Sequence, residues 1–399
     1  MKKIVVSITL ILSMMLFAGC DYNGNKIYDA LVKASEINSY EMDTEVSMSF
    51  DSQGFSEEEK MSLDIVKAML NNSSFKMHNK ISQNEEKTNL DNYADIYMNY
   101  GGLGFGMELW QNLSQDDSKF VQIMKVPSIL MMSMNEFSGK EYLVMEDEDF
   151  GFLGSNASLK QIQDKANEIM KKFIAQYDPD MKLIDFKNSE VVDGESVYNY
   201  VLSLDNESLV KLLKYTVNNV LDYEDGMDDF KEFFGQIIEM VQVPGDEIED
   251  AKDEINEAFD MFVDNKEEIK EKANEVLDLL EECEILGEEG IQIEYSLNKE
   301  GYIINKSGTI DLNLNLNKIE KAVTKIVGTE FDLYNENIVK DQSTKVIELG
   351  IKFNSKIYNI NEKIDIEMPE LTEENSIKLD EMTNYYDEID TVNYNDELF

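Results

Sequence analysis

The most constraining feature of the sequence is a strict alternation of apolar and polar residues. In residues 40–51 the even positions are mostly apolar and the odd positions are mostly acidic or hydroxylated, and residues 310–316 alternate without a fault. Successive strand side chains point to opposite faces, so both segments predict strands with one buried face and one wet, acidic face. Further strands are predicted at 74–84, 92–100, 104–112, 119–126, 140–147, 181–188, 196–204, 291–297, 302–304, 344–356 and 357–368.

Other segments carry apolar residues at three- and four-residue spacing, which is typical of amphipathic helices. They predict helices at 26–37, 57–70 and 158–176, and at 207–221 and 226–241 within a helical region. A long helix begins at 244–246 and is expected to end at Gly287. Its heptad-like seam leaves two interpretations open, a coiled-coil partner or packing against its own preceding helices, and the second is favoured.

These elements predict an α+β fold: a curved antiparallel sheet, a half-barrel, wrapped around the helices at 26–37 and 158–176. A cleft is expected between the sheet and these helices. We assign residues 26–371 to this domain, with a helical insertion at 206–286. Residues 372–399 are acidic, rich in tyrosine and without a period, and are predicted to be a mobile tail.

The amino terminus has the pattern of a lipoprotein signal. Lys2 and Lys3 precede an apolar run that ends in Leu16-Phe17-Ala18-Gly19-Cys20. The run is shorter than the roughly 20 residues that cross a bilayer. We therefore predict a signal peptide at 1–19, acylation of Cys20, as by palmitate, and a short leash at 20–25. This predicts a lipid-anchored protein on the extracytoplasmic face of the cell membrane, at a Gram-positive surface; an ordinary secretory signal with a chance cysteine is the alternative.

The charge of the chain limits the classes of molecule that it can bind. There are 82 acidic residues against 36 basic ones, all of them lysine, and the formal net charge is −46. Such a chain is repelled by nucleic acid, so no nucleic-acid partner is expected. Without arginine it also lacks the planar fork that binds carboxylate or phosphate in a bidentate way. Cations, cationic peptides and neutral apolar molecules remain.

The sequence offers little catalytic chemistry. His78 is the sole histidine and shares its strand parity with Lys76 and Lys80, which predicts a solvent-facing residue rather than a base. Cys283 lies between two glutamates, which favours a structural thiol. Residues 222–229 resemble a calcium loop, but Gly226 stands at the fifth place instead of the sixth. We therefore expect no enzyme, cofactor or designed metal site, and leave weak calcium binding open.

Methionine is unusually frequent, with 22 residues, and many lie in the predicted strands of the first half. Methionine is flexible and polarisable, and it lines adaptable apolar sites as well as filling cores. Core filling is the favoured explanation. The candidate residues for lining an apolar ligand are Met42, Met48, Met98, Met107 and Met124.

The order of these features resembles a known group of proteins. The likeness spans most of residues 20–376 and rests on the lipobox, the helix at 27–37 running into Ser39–Asp43, Asp95–Met98, Tyr198–Leu204, the hairpin at 293–304 and Ile364–Pro369. Together they resemble uncharacterised Gram-positive lipoproteins of LolA-like or LppX-like fold. The resemblance implies a curved antiparallel sheet around helices and, as in characterised relatives, a cavity for lipid or lipoprotein acyl chains. The insertion at 206–286 is longer than the usual helical link of that family, and no binding residue is transferred.

Two functions follow as hypotheses. The first is a membrane-anchored, non-enzymatic lipoprotein that binds an apolar or lipid-like ligand between sheet and helices. The second is an envelope interaction or structural lipoprotein, in which the helical arm at 206–286 and the acidic surface bind a protein partner. A wall hydrolase is disfavoured because no activated nucleophile or singular carboxylate pair is present.

Overall fold

The alternating segments assemble into one large sheet. A computed structural model describes residues 22–114, 119–127, 139–147, 159–192, 194–240, 245–327 and 344–379. The predicted α+β class is confirmed, with twelve mostly antiparallel strands and eight helices. The strands are β1 (Ser39–Gln53), β2 (Ser74–Gln83), β3 (Asn89–Tyr100), β4 (Leu103–Ser114), β5 (Lys119–Lys125), β6 (Tyr142–Asp147), β7 (Ile184–Val192), β8 (Glu195–Leu204), β9 (Leu286–Asn298), β10 (Ile303–Asn315), β11 (Val346–Tyr358) and β12 (Ser376–Lys378).

The helices lie between these strands in the chain. They are α1 (Tyr22–Ser35), α2 (Glu57–Asn71), α3 (Leu159–Gln176), α4 (Asn206–Asp222), α5 (Glu224–Met240), α6 (Gly245–Asp264), α7 (Lys266–Cys283) and α8 (Leu316–Val327). Within the described residues, no helix has both the length and the apolar character needed to span a membrane.

The sheet consists of two meanders joined edge to edge. Its order is β12-β6-β5-β4-β3-β2-β1-β11-β10-β9-β8-β7, and only β12 runs parallel to its neighbour, β6. The two meanders meet where β1 pairs with β11, from Glu41 opposite Tyr358 to Gln53 opposite Val346. The sheet is neither closed nor strongly curled. The predicted half-barrel is therefore wrong in its curvature, because the join leaves β7 and β12 as distant outer edges that do not meet.

The two faces of the sheet differ in chemistry, as the alternation predicted. Residues opposite one another in the register share a face, so β1 can be followed into its neighbours. One face, which we call the apolar face, carries Met42, Val46, Met48 and Phe50 of β1 with Phe75, Met77, Ile96, Met98, Phe105, Met107, Leu109, Met124, Ile310, Leu312, Ile351 and Phe353. The opposite, polar face carries Glu41, Asp43, Glu45, His78, Asp95, Glu108 and Lys352. Toward β6 the same face also carries a buried apolar cluster of Trp110, Ile123 and Val144, against which Ile366 and Leu371 pack.

Helices cover the apolar face at one end of the sheet. Ile27 and Ala30 of α1, and Phe173 of α3, are buried together with Leu202 of β8 and Tyr295 of β9. The predicted cover by the helices at 26–37 and 158–176 is thus confirmed for this end. Helix α4 also belongs to the cover, since its residues Leu212 and Val220 are buried in the same cluster.

The helical insertion is a hairpin of two broken helices. Helix α7 packs against α4, and α6 packs against α5, so the predicted packing of the long helix on its own predecessors is confirmed. The long helix predicted from 244–246 to Gly287 is wrong in two respects. It is interrupted at Asn265, and it ends at Cys283, where Glu284 adopts a left-handed conformation with φ 51°. Gly287 lies instead in β9.

Several other boundaries are corrected. The segments at 302–304 and 310–316 form the single strand β10, and α8 starts at Leu316, where the alternation gives way to helical spacing. The strand predicted at 357–368 is wrong, because β11 ends at Tyr358 and residues 363–372 have no regular structure. The leash at 20–25 overlaps α1, which begins at Tyr22. The predicted tail at 372–399 begins too early, since β12 adds to the sheet edge.

Candidate ligand-binding face

The five candidate methionines lie on one face of the sheet. Met42 and Met48 share the parity of β1, and Met48 is opposite Ile351 of β11. Met98 of β3 lies between Phe75 and Phe105, Met107 of β4 is opposite Ile96, and Met124 of β5 is opposite Leu109. The structure therefore brings together, on the apolar face, all the side chains that the sequence singled out.

This part of the apolar face is incompletely covered. Met42, Met98, Met107 and Met124 are half-buried, and Met48 is 37% exposed. In the portion of the chain that is described, the main helix packing on the sheet is by α2 on β1 and by α1, α4 and α8 on β7 to β10. A contiguous apolar surface of this kind on a soluble domain marks a binding site or an interface.

Helix α2 extends the apolar region beyond the strands. It has a full capping box at Ser56 and Glu59, but it buries none of its residues, and Met61 on it is 70% exposed. At its other end Met69 approaches the turn between β3 and β4, where a Cβ added to Gly101 would lie 3.5 Å from Met69 Cγ. Leu103 in the same hairpin is 76% exposed. This rim therefore continues the apolar face toward solvent.

A row of polar side chains crosses the apolar face and was missed by the sequence analysis. We call it the polar row, and it consists of Lys306, Ser355, Thr44, Asn79, Asn92, Gln111 and Gln122. Five of its members bond within the row: Thr44 Oγ1 lies 3.0 Å from Ser355 Oγ, Asn92 donates to Gln111 at 2.8 Å, and Gln111 donates to Gln122 at 2.9 Å. Asn79 lies diagonally between Thr44 and Asn92, since it is opposite Met42 and Ala94. The sequence contained the information needed to find this row, because each of its residues occupies a strand position that faces the same side as apolar neighbours.

Two members of the polar row stand out in their surroundings. Asn79 is only 8% exposed, and its Oδ1 has no hydrogen-bond partner. Lys306 places its Nζ 5.8 Å from the ring centroids of both Tyr295 and Phe353. Burial lowers the pKa of Lys306 below its ordinary value and raises the pKa of Tyr295 to about 12. Both effects reflect poor hydration at this end of the row.

His78 lies on the polar face, as its parity with Lys76 and Lys80 predicted, but it is half-buried rather than freely solvated. Its Nδ1 is 2.8 Å from Asp43 Oδ1 and its Nε2 is 3.6 Å from Glu41 Oε2. The arrangement is a cross-strand contact between an imidazole and the acidic residues of β1, and it needs no catalytic role to explain it.

A polar hollow also opens on the polar face. It has a volume of ≈ 440 Å³ and is lined by Ser49, Glu288, Asp311, Glu348 and Lys352 among others. Gly287 and Gly350 also line it, and their lack of side chains leaves space above the strands. An acidic, polar lining does not suit an apolar ligand, which is the ligand class that the methionines favour.

The remaining chemical candidates fall into helices or the core. The calcium-loop-like segment at 222–229 is almost wholly helical, and Asp222 and Asp229 pair with lysines, so it does not form a loop around an ion. Cys283 is buried, and burial raises the pKa of its thiol. Over the described ranges no group of three or more His, Cys, Asp or Glu side chains could hold a metal ion. Cys20, and Met131, Met132 and Met134, lie outside the described residues.

No protein-family model matches the chain, and no curated protein is significantly similar to it.

Proposed function

We propose that this protein is a non-enzymatic, membrane-anchored extracytoplasmic lipoprotein that binds an apolar or lipid-like ligand on the apolar face. The observation that carries the proposal is the alignment of Met42, Met48, Met98, Met107 and Met124 on one incompletely covered face. The lipobox ending at Cys20 supplies the proposed anchor. The proposed relation to LolA-like or LppX-like lipoproteins belongs with this function.

The open sheet changes where such a ligand would lie. In a half-barrel an acyl chain is enclosed, whereas here the ligand would lie along a sheet face, between the strands and the rim formed by α2. Thioether side chains can adjust to a tail that has no fixed shape. Burying apolar surface supplies about 25 cal/mol per Å², so a long hydrocarbon tail gives enough free energy for useful affinity.

The proposal is tested by following the ligand rather than an activity. Protein extracted from membranes in mild detergent should carry lipid that native mass spectrometry and solvent extraction detect. Met48→Glu places a charge on the apolar face at its most exposed methionine, and we expect it to reduce bound lipid at least about tenfold, because an unpaired carboxylate is costly to bury against a tail.

The matched control is Ser47→Glu, one residue away on the polar face, which should leave the bound lipid unchanged. Circular dichroism shows whether both variants keep the fold. Wild-type protein without any bound or exchangeable apolar ligand, with the apolar face filled by its own side chains, would contradict the proposal.

A second function is supported by the helical insertion. Met261 on α6 is 62% exposed, and Val263 on the same helix is 54% exposed. The helical insertion to which α6 belongs lies between β8 and β9 in the sequence. We infer an envelope protein partner as the alternative, bound by this arm and the acidic surface. Photo-crosslinking from position 261 in intact cells should label one partner, with the exposed position 58 on α2, outside the arm, as the control; equal background labelling at both positions would exclude the idea.

A further inference from the structure

Lys306 is chemically out of place on the apolar face. It is opposite Ser355 of β11 and Tyr295 of β9, so its side chain belongs to the same face as the methionines. At the described paired positions of this face, from β10 through β11 and β1 to β5, Lys306 is the one charged residue. A charged side chain in apolar surroundings either has a function or lowers the stability of the fold.

The lysines on the polar face are differently arranged. Lys76 lies 2.7 Å from Glu45, and Lys125 lies 2.9 Å from Glu108. Lys306, in contrast, has no carboxylate within ion-pairing distance among the described residues and contacts two aromatic rings instead. Cation–π contacts replace only part of the hydration that an ammonium loses on burial. An anion beside Nζ would complete the site.

The neighbours of Lys306 are suited to the head group of an amphiphile. The hydroxyls of Ser355 and Thr44 are on the next two strands and are bonded to each other, which uses one of their two protons; the other proton can be donated to an anion. Beyond them the apolar face runs over six strand spacings from β10 to β5, about 29 Å at roughly 4.8 Å per strand. A lipid tail occupies about half of a 30 Å hydrocarbon core, so one extended tail fits within this distance.

We propose that the apolar face takes an anionic lipid, a long-chain amphiphile with one negative charge in its head group, and that Lys306 Nζ binds that head group. The inference rests on the proposed function and adds the ligand class. The hydroxyl pair of Ser355 and Thr44 donates its remaining proton to the head group, while the tail lies over the methionines toward β5. Because Lys306 supplies one positive charge, the site should prefer a head group with one negative charge to a neutral polar head group.

The test compares two probes that share a tail and differ in charge. Dodecanoate below its critical micelle concentration and dodecanol below its solubility limit displace the neutral dye Nile red from the purified, delipidated protein. We expect the wild type to bind dodecanoate about tenfold more tightly than dodecanol, the factor that corresponds to about 1.4 kcal/mol. In Lys306→Met this preference should disappear, while Nile red and dodecanol bind as before.

Two further variants make the result specific. Lys356→Met removes an exposed lysine from the opposite face of β11 and should keep the preference, and Lys306→Arg keeps the charge and should keep most of it. A wild type without the preference, or a Lys306→Met protein that retains it, overturns the head-group assignment but leaves apolar binding standing. A wild type that binds neither Nile red nor either probe overturns the proposed function as well.

Discussion

At the scale of residues, the ion pair between Glu59 and Lys345 ties α2 to the segment before β11. The carboxylate of Glu59 is 2.7 Å from Lys345 Nζ and also accepts from the Ser56 backbone at 2.9 Å. Both side chains are largely shielded, unlike the exposed pair of Lys60 and Glu57 on the same helix. The hydrogen bond from Lys345, followed by that from the Ser56 backbone, lowers the pKa of Glu59 to about 2.

The first prediction concerns acid stability. Because the folded pKa of Glu59 lies below its ordinary value of 4.5, its contribution is present above pH 4.5 and is lost as the pH falls toward 2. Glu59→Gln should lower the free energy of unfolding by about 1–2 kcal/mol at pH 7, and the difference should shrink below pH 4.5. Urea titrations at several pH values measure it.

The control for this prediction is Glu57→Gln, whose carboxylate is fully exposed and whose loss should leave the stability close to that of the wild type. A difference between wild type and Glu59→Gln that stays constant from pH 7 to pH 3 would show that ionisation of this carboxylate does not stabilise the fold.

At the scale of elements, β1 is longer than its partner β2, and beyond the end of β2 the side chain of Asn71 forms the hydrogen bonds to the backbone of β1. The pairing with β2 ends at Ser47 opposite Ser74. Three residues later, Asn71 at the end of α2 accepts from the Phe50 amide at 2.6 Å and donates to the Phe50 carbonyl at 3.2 Å. The amide of Asn71 thus imitates the next residue of a strand and fixes α2 against β1.

The second prediction follows from these two bonds. Asn71→Ala leaves the partly buried amide and carbonyl of Phe50 without partners, and we expect a loss of about 2 kcal/mol in the free energy of unfolding. Asn72→Ala, which removes a single exposed bond to the Ala68 carbonyl, should cost less than half as much. Chemical denaturation compares the two. Equal losses in both variants would mean that the strand-like role of Asn71 is energetically unimportant.

At the scale of the whole molecule, the helical insertion has a root and a tip with different roles. Its root is α4 and α7: α4 contributes Leu212 and Val220 to the main core, and α7 packs on α4. Its tip is α5 and α6. At the junction, Lys266 Nζ lies 3.2 Å from Asp222 Oδ1, so the end of α4 and the start of α7 are close together. The tip also contacts α3, through Lys172 with Asp229 and Lys165 with Glu232. Because its two points of attachment lie close together, we expect that a short linker can replace it.

The third prediction uses that division. Replacing residues 224–264 by a short Gly-Ser linker should leave a cooperatively folded protein, whereas deleting 206–286 should abolish cooperative unfolding because it removes part of the core. Thermal melts followed by circular dichroism compare the two deletions. If the protein that lacks 206–286 melted cooperatively near the wild-type temperature, the root would not be part of the domain core.

The sequence predicted local structure well and long-range arrangement poorly. The parity of Met42 and Met48 was enough to place them on one face, because the two-residue period is a local property of a strand. The pairing of β1 with β11, and with it the open sheet, joins segments that no local pattern relates. Asn79 and Lys306 break the apolar parity of their strands, but only the register shows that both belong to the face that carries the methionines.

The pairing of β1 with β11 at the centre of the sheet determines when the sheet can be completed during folding. Strand β1 is synthesised before the other described strands, whereas β11, which pairs with its second edge, follows only after the first meander, the helical insertion and β7 to β10. Until then the first meander presents a bare row of amide and carbonyl groups, the kind of template on which chains aggregate. Such a distant closure is slow. The edge of β1 therefore needs protection from other chains, such as a chaperone provides, during the interval before β11 pairs with it.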